Sequence, residues 1–307
     1  MSTSPAPAPG TAPGATSSVA PAVTPFERSP GYWRTVGQRL LRDKVAIGAG
    51  LVVCLLLAMA ALGSLLAPQD PYASSMLSRL KPIGTEGHLL GTDELGRDML
   101  SRLIVGARLS LFMGITPVVC AFVLGSFIGI VAGYAGGLLN SAIMRTVDVF
   151  YAFPSVLLAI ALSGALGAGI TNSLISLTVV FIPPIARVAE SVTTQIRSRD
   201  FVEAARASGA GAFTIVRVHV LGNVLGPIFV YATSLIAVSM ILASGLSFLG
   251  LGVKPPEPEW GLMLNTLRTA IYTQPAIAAL PGAMIFITSI AFNLLSDALR
   301  SAMEIKS

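Results

Sequence analysis

The chain has 307 residues, 53% of them hydrophobic and only 11% charged, with a formal net charge of +5 and a mean hydropathy of +0.77. A soluble domain carries about 25% charged residues, so most of this surface does not face water and the chain reads as an all-α polytopic membrane protein. The positive charge is scattered over loops, with no basic stripe and no interleaved aromatics, which excludes a nucleic-acid partner.

Residues 1–30 are rich in Pro, Ala, Ser, Thr and Gly. They bury too little to offset ordering entropy and are expected to form a disordered tail. Basic residues from Arg28 to Lys44 then precede a first apolar run, 45–67. The apolar part of a cleavable signal is only about 7–15 residues long. This run is longer and starts later, so it reads as a retained helix entering from the cytoplasm. With the polar stretch up to about Leu100 it makes an N-terminal segment, 31–107.

A core, 108–303, follows. Its apolar runs predict five further spans near 108–133, 142–166, 172–189, 224–250 and 276–299, each close to the roughly 20 residues that cross a bilayer. Six transmembrane helices put both ends on the cytoplasmic side. Thirteen of the twenty Lys and Arg residues then fall inside, as positive-inside topology requires. The outer stretch before the second span is charge-rich, but its basic residues are balanced by Asp70, Glu86, Asp93, Glu94 and Asp98.

In that outer stretch lies Leu90-Gly91-Thr92-Asp93-Glu94-Leu95-Gly96-Arg97-Asp98. Thr92 or Asp93 is placed to cap a helix beginning near Glu94. Asp93 with Arg97, and Asp98 with Arg102, stand at i,i+4. Capping and bracing is the plainer role here, direct substrate contact the other.

Gly125, Gly129 and Gly133 recur every fourth residue and mark a smooth face for close helix approach. Beyond them, Gly133-Tyr134-Ala135-Gly136-Gly137 leads through Arg145 and Asp148 to Phe153-Pro154. Arg145 and Asp148 can pair at i,i+3, as a structural ion pair or as a contact for a cytoplasmic partner.

The loop between the fourth and fifth spans, about 198–222, is polar and charged. Asp200 suits an N-cap with Glu203 at N3, a capping box. Ala204, Ala205 and Ala207 keep the helix slim. Gly209 is placed to end it with positive φ, and an apolar stretch follows to Leu221. On spacing alone this is either an amphipathic hairpin on the membrane or a surface offered to a partner. Further on, Ser234, Ser239, Ser244 and Ser247 are polar positions of the fifth span that could line a pathway. Leu246-Ser-Phe-Leu-Gly-Leu-Gly252 then leads to Pro255-Pro256-Glu257-Pro258-Glu259-Trp260-Gly261. The prolines impose an extended turn, Trp260 suits an interfacial anchor, and Glu257 and Glu259 either solvate the turn or meet a partner.

None of the four lysines follows a glycine, so no Walker loop is present. No Asp, Glu or Lys is expected at mid-membrane depth, which a proton-coupled carrier or an intramembrane protease needs. No catalytic residue and no metal site is expected. Cys54 and Cys120 lie in apolar segments and read as small buried hydrophobes. His88 and His219 fall on opposite sides.

The Glu203-Ala204-Ala205…Gly209 pattern resembles the EAA loop of ABC importer permeases. The Leu90–Asp98 and Leu246–Gly261 motifs resemble those of the second permease of dipeptide and oligopeptide importers. One departure is Gly222, where the family usually has Pro after His-(Ile/Val)-Leu; Gly there also suits a helix break. The resemblance implies a type I ABC importer transmembrane domain in a bacterial plasma membrane. It implies a partner permease forming a heterodimer, two ATP-binding subunits that hold ATP and Mg, an extracytoplasmic substrate-binding protein and a peptide substrate. The loop at Asp200, Glu203, Ala204, Ala205 and Gly209 would dock on the ATPase. No cofactor is implied in this chain. Nickel, glutathione or another small solute stays open as cargo, as does an ATP-independent carrier.

Overall fold

The computed structural model describes residues 32–303, so the expectation for the tail lies outside the described residues. Eleven α-helices are found among them: α1 (Tyr32–Leu40), α2 (Lys44–Leu66), α3 (Met99–Ala135), α4 (Gly137–Tyr151), α5 (Ser155–Leu166), α6 (Ile170–Arg197), α7 (Asp200–Ala207), α8 (Ala212–Ile215), α9 (Leu221–Phe248), α10 (Trp260–Thr266) and α11 (Pro275–Met303). Strand pairing among these residues is confined to two isolated bridges.

Five helical spans are long and apolar enough to cross a membrane; α4 and α5 make a sixth if taken as one broken span, bent by 86°. The sequence predicts that third span as continuous, and Pro154 is the reason it is not. Proline has no N–H to give the preceding turn, and it disfavours helical backbone at Phe153. The second span also differs. It starts at Met99 rather than near Arg108, because Asp98 caps it: the Asp98 carboxylate accepts from the Ser101 N–H at 2.8 Å. With 37 residues, α3 is about 55 Å long at 1.5 Å per residue.

Two apolar cores share α3. One joins its N-terminal end to α2, α10, α11 and the middle of α9, around Met99, Leu103, Met240, Trp260 and Ile277. The other joins its C-terminal half to α5, α6 and α9, around Met113, Leu177, Ile185 and Ile228. The glycine repeat of α3 faces α6. A β-carbon at Gly125 would stand 2.9 Å from the Ile182 carbonyl oxygen, and one at Gly129 would run into the Ala186 carbonyl. The small-residue face thus lets the two backbones touch.

By contrast, α2 keeps Leu51 and Leu65 widely exposed, as suits a helix facing lipid. Cys54 and Cys120 are exposed too, which corrects the expectation that they are buried: each sits on the outward side of its helix, where an apolar thiol meets lipid at little cost.

Candidate coupling loop and outer motif

At the end of the bundle opposite Asp98, α6 runs into α7, α8, a π-helical turn at Val216–Val220, and α9. The α7 N-cap is Arg199, with no side-chain cap; Asp200 is the first helical residue. The expected capping box is therefore not formed. The Val202 and Glu203 amides instead bond the Arg199 carbonyl at 2.9 and 3.2 Å, while the acidic Asp200 and Glu203 lie in the first turn, where they complement the helix dipole.

The other end of α7 follows the sequence. Gly209 has φ of 84°. Its N–H bonds the Arg206 carbonyl at 3.0 Å, and the Ala210 N–H reaches back to the Ala205 carbonyl at 3.1 Å. This pair of bonds is a Schellman closure, which needs a residue at positive φ.

The loop is two-faced. Val202, Ile215 and Val220 are buried in the core built on α3, α6 and α9. Asp200, Glu203, Ala204 and Gly209 are exposed and Ala205 is half-buried. Phe213 and Val218 also stand out from the surface, at 78% and 61% exposure. Gly222 does not break the helix, as the departure from the resembling pattern suggests it should. The π-helical turn feeds straight into α9, and the nearest proline is Pro227, inside that helix.

Beside the loop, Arg197 Nη1 donates to the Tyr134 carbonyl at 3.1 Å and to the Gly133 carbonyl at 3.4 Å. These are among the last carbonyls of α3, so a cation closes its C-terminus. Sequence reasoning missed this role, although Arg in a last turn is the cue for it.

The outer motif is a tightly closed loop. Asp93 accepts from Arg97 Nε at 2.7 Å and from the Leu95 and Arg97 amides at 2.9 Å each, so the predicted Asp93–Arg97 pair is present. The predicted Asp98–Arg102 pair is not. Asp98 is taken up by Ser101 and by His88 Nδ1 at 3.1 Å, and Arg102 turns to Asp93, Nε to Oδ2 3.4 Å. Neither Thr92 nor Asp93 caps a helix: the Thr92 hydroxyl donates to the Ser78 carbonyl and accepts from the Lys81 N–H. Gly91 and Gly96 have positive φ, and a β-carbon on either would run into the Lys81 or the Ser75 carbonyl. Arg102 Nη1 reaches the Pro71 carbonyl at 2.9 Å and the Pro256 carbonyl at 3.4 Å, tying two outer loops together.

Trp260 is fully buried, which corrects its expected place at the membrane interface. Its backbone N–H donates to Ser110 Oγ at 3.0 Å. Glu259 is buried as well, and its carboxylate caps α10 through the Gly261 and Leu262 amides at 2.9 and 2.8 Å. Burial raises its pKa, while those two N–H bonds pull it down. Glu257 stays outside and accepts from the Tyr72 hydroxyl at 3.0 Å.

Of the α9 serines, Ser239, Ser244 and Ser247 are buried inside this chain's own bundle. A β-carbon at Gly261 would run into Ser244, and one at Gly252 into Ser247. Ser234 is half-buried and bonds the Tyr231 carbonyl.

Arg145 and Asp148 are not paired. Asp148 bonds Arg187, on α6, at 2.6 Å. Sequence reasoning also passed over Glu190, which accepts from Asn140 Nδ2 at 2.7 Å and Thr194 Oγ1 at 3.1 Å. Among the described residues no three His, Cys, Asp or Glu side chains converge as a metal site would need.

Residues 125–305 match the family described as binding-protein-dependent transport system inner membrane component. Residues 31–82 match the N-terminal TM domain of oligopeptide transport permease C. The chain is 41% identical over 274 residues to the glutathione transport system permease protein GsiD of Pectobacterium atrosepticum, covering 89% of this chain and 91% of that one. It is 38% identical over 292 residues to the di/tripeptide transport system permease protein DppC of Pseudomonas aeruginosa, covering 94% and 96%. Among solved structures, an inward-facing form of the MetNI methionine ABC transporter matches with a TM-score of 0.54 and 20% identity, over 66% of this chain and 97% of that chain; it shares the fold. The chain belongs to the binding-protein-dependent inner-membrane components, and is a non-catalytic permease subunit of a peptide-type ABC importer.

Proposed function

We propose that this permease, paired with a second one, forms the uptake path for short peptides of the di- and tripeptide class, in which glutathione falls. Near full-length identity to relatives named for those cargoes supports the reading. Its motor would be two separate ATP-binding subunits holding ATP and Mg, and its cargo would come from an extracytoplasmic binding protein. The loop of α7 and both chain ends would face the cytoplasm of a bacterium.

The observation that carries the coupling is the two-faced α7. Val202 is wholly buried in the core, while Glu203, Ala204 and Gly209 stand on the open side. A surface gripped from outside must be anchored within, and Val202 is that anchor. Closure of the ATPases would draw on α7, and the draw would pass through Val202 to α6 and α9. The spans would then exchange between inward and outward openings, a population shift driven by differential binding. Of the α9 serines, Ser234 is the one with a partly open position to offer such a path.

Glu203→Lys in the importer reconstituted in vesicles tests the docking, with Gly209→Pro as a second variant; proline cannot adopt the positive φ of that residue. Both should insert, lose peptide uptake and hold the ATPase weakly. Undiminished uptake would refute the assignment. Competition of labelled dipeptide uptake by tripeptide, glutathione and nickel tests the cargo: competition by nickel alone would overturn the peptide class.

A further inference from the structure

A groove of about 930 Å³ opens between α4 and α6, within the size range of small-molecule sites, about 300–1,000 Å³. Neither the coupling loop nor the outer motif uses it. Its walls carry Arg145 and Asp148 from α4, Arg187 and Glu190 from α6, and Asn140 and Ser191 beside them. Arg187 Nη2 is 2.6 Å from Asp148 Oδ1, yet the two side chains stay 49% and 47% exposed. The Arg187 guanidinium also lies over the Tyr151 ring, 5.0 Å from its centre.

Depth and charge balance decide what such a groove faces. Arg187 comes about 26 Å along the axis of α6 from Ile170, against a hydrocarbon thickness of about 30 Å. Charged groups at that depth are costly against lipid and belong against protein or a water-filled cavity. Lipid headgroup binding calls for a surplus of basic residues, and here two arginines are matched by two carboxylates. A sign-balanced, half-open polar groove suits a solute that itself carries both signs.

We propose that this groove lines the inner part of the uptake path and receives the charged ends of a short peptide. The peptide carboxylate takes the place of Asp148 on Arg187, and the peptide ammonium is met by the released Asp148 and by Glu190. The inference rests on the short-peptide reading and adds the residues that meet the cargo.

The test uses the whole importer, nucleotide-free, with Ser191→Cys in a background of Cys54→Ser and Cys120→Ser. A charged methanethiosulfonate reagent is applied from the cytoplasmic face. The cysteine should react, and a free dipeptide at about ten times its half-protecting concentration should slow the reaction about tenfold by competition. A C-amidated dipeptide should protect several-fold less, and Arg187→Gln should erase the difference between the two. An unreactive cysteine, or one that the free dipeptide leaves unprotected, overturns the proposal. So does an amidated dipeptide that protects equally well. Dipeptide uptake by the same importer before modification separates the two claims. If uptake is present and protection absent, only the groove assignment falls; if no peptide is taken up, the cargo reading falls with it.

Discussion

Trp260 donates its indole Nε1–H to the carbonyl oxygen of Leu103 at 3.0 Å, across 157 residues of chain. That bond seats α10 on the outer end of α3, where Gly106 leaves room: a β-carbon there would run into the Pro258 carbonyl. Trp260→Phe should keep much of the packing and lose about 1 kcal/mol for the hydrogen bond. Trp260→Ala should cost about 3–5 kcal/mol through the void it opens. Thermal unfolding of the purified subunit in detergent separates them, and an unchanged stability in Trp260→Phe would mean that the indole N–H contributes nothing.

Glu259 makes the seat of α10 sensitive to pH in a definite direction. Burial raises its pKa in the folded protein, so the fold holds this proton more tightly than the unfolded chain does. Its contribution is fully present below the ordinary carboxylate value, about 4.3, and is lost as pH rises through the raised folded value. Glu259→Gln should therefore lose more stability relative to wild type in acid than at neutral pH. A stability difference that is flat with pH would contradict this.

Removing the buried Asp93 carboxylate leaves both Arg97 and Arg102 without their counter-charge, at a cost of about 3–5 kcal/mol. Asp93→Asn should also weaken the amide bonds to Leu95 and Arg97, and so loosen 91–98 as a unit. Faster proteolysis of that loop, with the spans intact, is the readout. Arg187→Gln on the opposite side removes a half-exposed pair and should change stability by about 1 kcal/mol at most.

Gly129→Val should disrupt the α3–α6 contact. Its β-carbon would meet the backbone of α6 rather than a movable side chain, so relief requires the helices to part. A loss of about 1–3 kcal/mol or more is expected, measured as a fall in the detergent melting temperature. Gly137→Ala, with open space around its α-carbon, is the control for a crowding effect, although its φ of 55° adds a backbone cost of its own.

Hydropathy located five spans because each is a long apolar run, and that signal does not depend on partners; the third, which Pro154 breaks into α4 and α5, it read as continuous. The α3 glycines were legible for a similar reason: a four-residue repeat marks one helix face whatever packs there. Gly209 was legible because a helix that must turn back needs positive φ. What the sequence could not reveal was choice among partners. Asp148 has Arg145 within reach on its own helix, but it bonds Arg187, 39 residues on, where the packing of α4 on α6 puts it. Asp98 likewise leaves Arg102 for Ser101 and His88. Trp260 reads as an interfacial residue by type, and only the fold shows that α10 tucks it inward. Asp200 has the chemistry of a cap, yet the helix begins one residue earlier than that role requires.

Because α3 belongs to both cores, its ends cannot move independently without bending it. Asp98 fastens one end near the outer loops, and Arg197 fastens the other beside α7. A tug on α7 of a few ångströms would thus act on a helix about 55 Å long with Pro117 near its middle as the one built-in bend point, and the displacement would emerge at the opposite end, next to Arg102 and the loops it holds. Mechanical communication through this subunit then requires no relay of small side-chain changes along the way.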